Sequence, residues 1–299
     1  MTRAIKYRSS DEPIRGEIVE GYESETESWK RVLQNPRELL ASNGTTEILV
    51  HGQRPASPLS TLQKQERSRK QELIHAGKAK RFVLSFRTPS GPKIFKLLEP
   101  QSTGNHIQGI FHSSTARIEH RNQLRCQTLK LAAAQSLGFL ELRRGPLLVR
   151  ACQIQEPVPL QQLTLFEAFF TQELARSPKD AISALATAIA QMHLKGFFHN
   201  DLKGFHAFAR ITGYNPSGTA HYDLLWIDLA RVGFKLTKRQ RIINLYQVFR
   251  YILPANSEAQ ATFTQIYCEV SGWHKDNYPK ALRQVSQFLD FKLRTHPSP

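Results

Sequence analysis

The sequence predicts an α+β chain, with a small antiparallel sheet first and a mainly helical half after it. Three observations carry this. Between Arg81 and Ala151, apolar residues come in short strand-like runs separated by turn residues, with one helical stretch among them. From Ala181 onward, apolar residues recur chiefly at helical spacing. Two carboxylates, Asp201 and Asp228, stand 27 positions apart, each beside an apolar run, and the two strands between them can fold back as a hairpin.

The composition bounds the rest. With 299 residues the chain can bury one large core or two modest ones, and 40% apolar content suits a globular protein. The net charge of +16, from 41 Lys and Arg against 25 Asp and Glu, predicts an anionic partner: a nucleotide, a nucleic acid or an acidic membrane surface. Cys126, Cys152 and Cys268 are odd in number, widely spaced and free of any CxxC pattern, so reduced buried thiols are expected. No apolar run follows the basic residues at the N-terminus, and none is long enough to span a bilayer. The expected location is the cytoplasm, with peripheral contact at an anionic inner membrane.

In chain order, residues 1–75 read as an N-terminal extension, polar and interrupted by Pro and Gly, with a little helix around Trp29–Leu40 broken by Pro36. Leu62–Arg81 holds nine charged residues, seven of them basic, and reads as a solvated surface helix. Phe82–Phe86 and Lys93–Leu98 form a strand pair around the turn Thr88–Pro92. Ala116–Gln135 has helical spacing and ends before Gly138, Leu147–Ala151 is a strand, and Pro157 and Pro159 mark a connection. Ala181–Lys195 is a helix with Ile182, Leu185, Ile189, Met192 and His193 along one face, closed by Gly196. Ala207–Ile211 and Asp223–Ile227 are strands joined through Asn215–Gly218, and three helices follow over Lys238–Leu253, Ala259–Val270 and Tyr278–Leu293.

The chemistry concentrates in His199-Asn200-Asp201-Leu202-Lys203-Gly204-Phe205-His206 and Trp226-Ile227-Asp228-Leu229-Ala230-Arg231. Phosphoryl transfer needs one carboxylate to orient a hydroxyl and another to hold magnesium on the phosphates. The protein-kinase catalytic loop reads His-Arg-Asp, four residues, then a metal-binding Asn. The same spacing here ends in His206. With Ile-Asp-Leu-x-Arg in place of Asp-Phe-Gly, the chain resembles the bacterial lipopolysaccharide kinase family, the kinases of core heptose and of Kdo. The resemblance spans roughly residues 78–255. It implies a bilobal protein-kinase-like fold, with a small antiparallel-sheet N-lobe over 76–156 and a mainly helical C-lobe over 157–299.

The residues then take expected roles. Asp201 is the catalytic base, and Lys203 places a positive charge near the transferred phosphate. Asp228 is the magnesium ligand, and the resemblance assigns His206 to the phosphate or metal site, although magnesium prefers oxygen donors. Lys96, on the second strand, serves the α- and β-phosphates, and Glu119, early in the following helix, pairs with it. Lys93 is a rival that faces the other side of the strand. Arg231 matches the arginine of the family pattern, and Lys235, Lys238, Arg239 and Arg241 are candidates for the acceptor side. Two departures stand out: only Gly77 precedes the first strand where a glycine-rich loop is usual, and Asn244-Leu245 replaces the usual Asp-Leu.

Together these imply an ATP- and magnesium-dependent kinase acting on a sugar hydroxyl of an anionic glycolipid, a heptose or Kdo of the lipopolysaccharide inner core. A pseudokinase scaffold and a kinase of protein hydroxyls use the same framework and stay open. Nucleic-acid binding is disfavoured, since no helix-turn-helix, zinc-finger or RNP pattern occurs.

Overall fold

The computed structural model describes residues 4–9, 13–35, 81–100, 113–157, 164–214, 220–254 and 257–295. The chain divides into two compact units, Met1–Leu124 with Gln135–Pro157, and Arg125–Ala134 with Val158–Pro299.

The first unit is built on a six-stranded antiparallel sheet. Its strands are β1 (Ala4–Arg8), β2 (Ile14–Val19), β3 (Arg81–Thr88), β4 (Gly91–Leu98), β5 (Ser136–Arg144) and β6 (Leu147–Gln155), in the order β1-β2-β5-β6-β4-β3. Helix α1 (Thr26–Gln34) packs Trp29, Val32 and Leu33 into a core with Ile14 and Ile18 of β2, Phe95 and Leu97 of β4, and Cys152 and Ile154 of β6. Residues 4–35, expected as an extension outside the sheet, therefore contribute two strands and a buried helix. The low average hydropathy of this stretch hides its pattern. Ile14 and Ile18 share one face of a strand, and Trp29, Val32 and Leu33 share one face of a helix. Gly16 lets β2 lie close on β5, because a Cβ there would stand 1.9 Å from the carbonyl oxygen of Phe139. The helix ends at Gln34, before Pro36, and residues 36–40 of its expected range lie outside the described residues. So do the expected basic helix up to residue 80, the turn at 215–218 and the positions around Gly77.

Helix α2 (Thr115–Thr128) is shorter than the expected Ala116–Gln135. Lys130 adopts a left-handed φ of 52°, the amide of Leu131 donates to the Cys126 carbonyl, and that of Lys130 to Gln127, which closes the helix as a Schellman cap. Strand β5 follows, unanticipated because Gly138 reads as a helix terminator. In the sheet Gly138 instead admits the backbone of β2, with a Cβ there only 2.6 Å from the Glu17 carbonyl oxygen.

The second unit holds α3 (Phe166–Arg176), α4 (Pro178–Leu194), α5 (Lys238–Tyr251), α6 (Ser257–Ser271) and α7 (Tyr278–Thr295). Its strands are β7 (Thr164–Leu165), β8 (Phe198–His199), β9 (Ala207–Tyr214), β10 (Ala220–Trp226) and β11 (Val232–Gly233), paired as β10-β9-β7 and β11-β8. Helix α4 starts with Pro178 in its first turn and ends at Gly196, whose φ is 74°. Its buried face, Ile182, Leu185, Ile189 and Met192, meets Phe263 and Tyr267 of α6 in the main core. Helix α5 opens with a capping box between Thr237 and Gln240. The hairpin of β9 and β10 pairs Trp226 with Ala207, as expected, and so returns the chain beside His206, where the amide of Ile227 donates to the His206 carbonyl at 2.9 Å.

All three cysteines are buried free thiols, and burial pushes Cys126 up to about 12 and Cys268 up to about 11. Among the described residues no helix is long and apolar enough to cross a membrane.

Candidate functional site

In the first unit, alternation along β4 sends Lys93, Phe95 and Leu97 to one face and Lys96 to the other. Lys93 is buried against Glu156, its Nζ 3.0 Å and 3.1 Å from the two carboxylate oxygens. Lys96 forms an ion pair with Glu119 of α2, whose side chain is 4% exposed. Arg117 and Arg121 flank Glu119 but turn to Glu17 of β2, at 3.8 Å and 3.2 Å. The N-terminal strand thus engages the two cations that could compete with Lys96 for the glutamate. Between them His120 bonds Ser136 Oγ at 2.7 Å, and burial holds it down to about 4, so it is neutral.

In the second unit, the segment from His199 to His206 is irregular, so its backbone groups need partners outside a helix or sheet. Side chains of α5 supply most of them. Asn244 Oδ1 accepts from the His199 amide at 3.1 Å, and Asn244 Nδ2 donates to the His199 carbonyl at 2.6 Å. Gln247 Nε2 donates to the Asn200 carbonyl at 2.7 Å, and Gln247 Oε1 accepts from the Leu202 amide at 3.2 Å. The Asn200 amide donates to the Arg231 carbonyl at 2.8 Å. Arg231 therefore enters the loop through its backbone, and its residue is exposed.

His199 and His206 complete the loop. The Asp201 amide donates to His199 Nδ1 at 3.2 Å, which places the His199 proton on Nε2, facing the Ile227 carbonyl at 3.4 Å. Burial, reinforced by the His206 charge, holds His199 down to about 4. His206 donates from Nδ1 to the Asp201 carbonyl at 2.5 Å and stacks on His199 with ring centroids 5.3 Å apart. Its other nitrogen, Nε2, faces Asp228 Oδ2 at 3.8 Å.

The two carboxylates differ in setting. Asp201 lies 2.8 Å from Lys203 Nζ. Burial alone would push its carboxyl up, but the Lys203 hydrogen bond and charge bring it below its ordinary value. Asp201 is therefore ionised at neutral pH. Asp228 takes a left-handed backbone, with φ and ψ both 56°, at the turn after β10. Aspartate is among the few residues that tolerate this region, and such outliers concentrate at functional sites.

Among the described residues no group of three or more His, Cys, Asp or Glu side chains could hold a metal by itself. A single carboxylate beside bound polyphosphate is nevertheless the donor set that suits magnesium, which keeps water and phosphate oxygens in its shell. Asp228, 19% exposed at its side chain, meets that description.

Lys96 and Glu119 are thus brought together in one unit, and Asp201, Lys203, His206 and Asp228 in the other. Gln247 was not anticipated. The available signal was a pair of polar residues three apart on α5, Asn244 and Gln247, among the buried Leu245, Tyr246, Val248 and Phe249. Asn244, a departure from the family pattern, also accepts from His193 Nε2 at 3.1 Å, while His193 Nδ1 accepts from Tyr267 at 2.7 Å. Of the basic residues considered for the acceptor side, Arg241 is engaged, donating to Tyr267 at 2.5 Å and lying over the Trp273 ring.

A lysine–glutamate pair on sheet and helix, followed by a loop carboxylate and a strand-end carboxylate in a helical unit, defines a phosphotransferase of the protein-kinase-like class. A solved structure described as WaaP in complex with acyl carrier protein shares this fold. It matches with a TM-score of 0.51 and 16% identity, over 74% of this chain and 87% of that one. Residues 105–268, more than half of the chain, match the lipopolysaccharide kinase (Kdo/WaaP) family. The chain belongs to that family, whose members are ATP-dependent kinases. A comparison with curated proteins gives no match.

Proposed function

We propose that this kinase transfers the γ-phosphoryl group of ATP to a sugar hydroxyl of the lipopolysaccharide inner core, on a heptose or Kdo, at the inner face of the membrane. The observation that carries the reading is the Asp201–Lys203 pair at 2.8 Å, on a loop whose backbone is held on both sides of Asp201 by side chains of α5. In this reading Asp201, kept ionised, orients the acceptor hydroxyl and takes its proton. The acceptor oxygen bonds to the γ-phosphorus as the bond from that phosphorus to the leaving oxygen of ADP breaks. Lys203 stands beside the carboxylate where charge is redistributed in the transition state. Lys96, oriented by Glu119, meets the α- and β-phosphates. Magnesium, held by Asp228 with His206 Nε2 beside it, would neutralise phosphate charge. The net charge of +16 suits an anionic acceptor presented in an anionic leaflet.

The test is ADP release from ATP and magnesium, with and without deacylated inner-core glycolipid. Wild type should turn over in a glycolipid-dependent way, and Asp201→Ala and Asp228→Ala should each lose roughly 10²–10⁴-fold in kcat. Nucleotide binding without turnover on glycolipid or protein hydroxyls would assign the chain to the scaffold class instead.

A further inference from the structure

The pairing of the six-stranded sheet sets four residues in one transverse row. Lys96 of β4 stands opposite Gln153 of β6, Gln153 opposite Phe139 of β5, and Phe139 opposite Glu17 of β2. Residues directly opposite one another share a face, so the row lies on one side of the sheet. Helix α2 meets this row from end to end. At one end Glu119 pairs with Lys96. In the middle Gln153 Nε2 donates to Gln123 Oε1 at 2.7 Å, and the Arg117 guanidinium and the His120 ring lie 5.8 Å and 5.5 Å from the centre of the Phe139 ring. At the far end Glu17, 16% exposed at its side chain, takes Arg121 at 3.2 Å and Arg117 at 3.8 Å.

Only the two ends of the row carry charge. Arg117 and Arg121 are four positions apart and share a face of α2, whereas Glu119, two from each, faces another way. The ion pairs at Glu17 therefore fix the rotation of the helix, and that rotation decides where Glu119 points. An anchor at Lys96 alone would leave α2 free to pivot about it, and a second anchor three strands away removes the pivot. We propose that Glu17 is a positioning residue for the nucleotide site: from a strand that precedes the matched residues 105–268, it holds α2 so that Glu119 keeps Lys96 in place for the phosphates of ATP. The proposal rests on Lys96 being the lysine that meets those phosphates. His120 also faces Glu17, at 4.0 Å, but burial keeps it neutral, so the two guanidinium groups answer the carboxylate.

The experiment is calorimetric titration of the full chain with ATP and magnesium, which needs no acceptor. Glu17→Gln should weaken ATP binding about three- to tenfold, the size expected of two partly exposed ion pairs lost together. Arg117→Gln combined with Arg121→Gln should weaken it as much, and adding Glu17→Gln to that pair should cost nothing further. In a Lys96→Met background Glu17→Gln should leave the remaining affinity unchanged, because the clamp acts through the lysine. Unchanged ATP affinity in both Glu17→Gln and the double arginine variant would overturn the proposal. So would an equal further loss in the Lys96→Met background, which would make Glu17 a support of the fold alone. Unchanged ATP affinity in Lys96→Met itself would overturn the lysine reading, and the proposal with it.

Discussion

In the first unit, Lys96 is held by the opposite charge of Glu119, whereas in the second the backbone around Asp201 is held by neutral amides and a neutral imidazole. The first arrangement is a set of sorted ion pairs: Lys96 with Glu119, Lys93 with Glu156, and Arg117 and Arg121 with Glu17. Each keeps its partner because a nearby rival is engaged elsewhere. The second is a hydrogen-bond relay running from Tyr267 through His193 and Asn244 to the backbone of His199. Charge pairs tolerate imperfect geometry but depend on which charges are present. Amide networks carry no charge and depend on every donor finding its acceptor. A departure from the family pattern fits this contrast. An aspartate at position 244 could accept from the His199 amide but could not donate to its carbonyl, and Asn244 does both.

The contrast can be broken most severely through the packing that supports the ion pairs. Trp29→Ala should destabilise the first unit by about 3–5 kcal/mol, because the indole is fully buried in the core beneath β4 and β6. Thermal melting checks this, and a loss below 1 kcal/mol would return residues 13–35 to the status of an appendage.

Asn244→Leu comes next, at about 2–4 kcal/mol, since it strands the buried amide and carbonyl of His199. Asn244→Asp sharpens the test. A carboxylate beside His193 should raise the pKa of that imidazole back towards its unfolded value, so this variant should lose less stability than wild type as the pH falls from about 8 to about 5.

Lys96→Met should raise KM for ATP roughly 10- to 100-fold, as loss of a charge-assisted contact does, and should also lower the melting temperature, because it leaves the buried Glu119 carboxylate without its cation. Steady-state kinetics at saturating acceptor read this directly.

The smallest effect per group is that of pH on wild type. His193, His199 and His120 are held down to about 3, about 4 and about 4 by burial, against an ordinary 6.5. In the intervening range the unfolded chain binds more protons than the folded one. Stability is therefore full above about pH 6.5 and falls as the pH drops towards 4. Between pH 7 and pH 6 the loss should be roughly 0.5–1 kcal/mol for each histidine, followed as a falling melting temperature.

Much of the second unit was legible because its signals are local. A helix declares itself by spacing, Gly196 by ending it, and the hairpin by two apolar runs around turn residues. The first unit was less legible. Strand β5 begins beside a glycine that reads as a helix stop, and β2 and α1 have their few apolar residues spread through polar sequence. Their place in the sheet depends on partners more than 100 positions away, such as Leu142 opposite Ile14.

By itself, the sequence determined the family and the helices and hairpin of the second unit, and it singled out Lys96, Glu119, Asp201, Lys203, His206 and Asp228 as candidates. Spacing along the chain is enough for that, since each residue sits in a short motif. The tertiary structure decided which charges meet, which side chains hold the loop, and that Lys203 lies near the Tyr251 ring. Those outcomes depend on the register of distant strands and on the face a helix presents. Both are set by burial of the whole core rather than by any neighbouring residue.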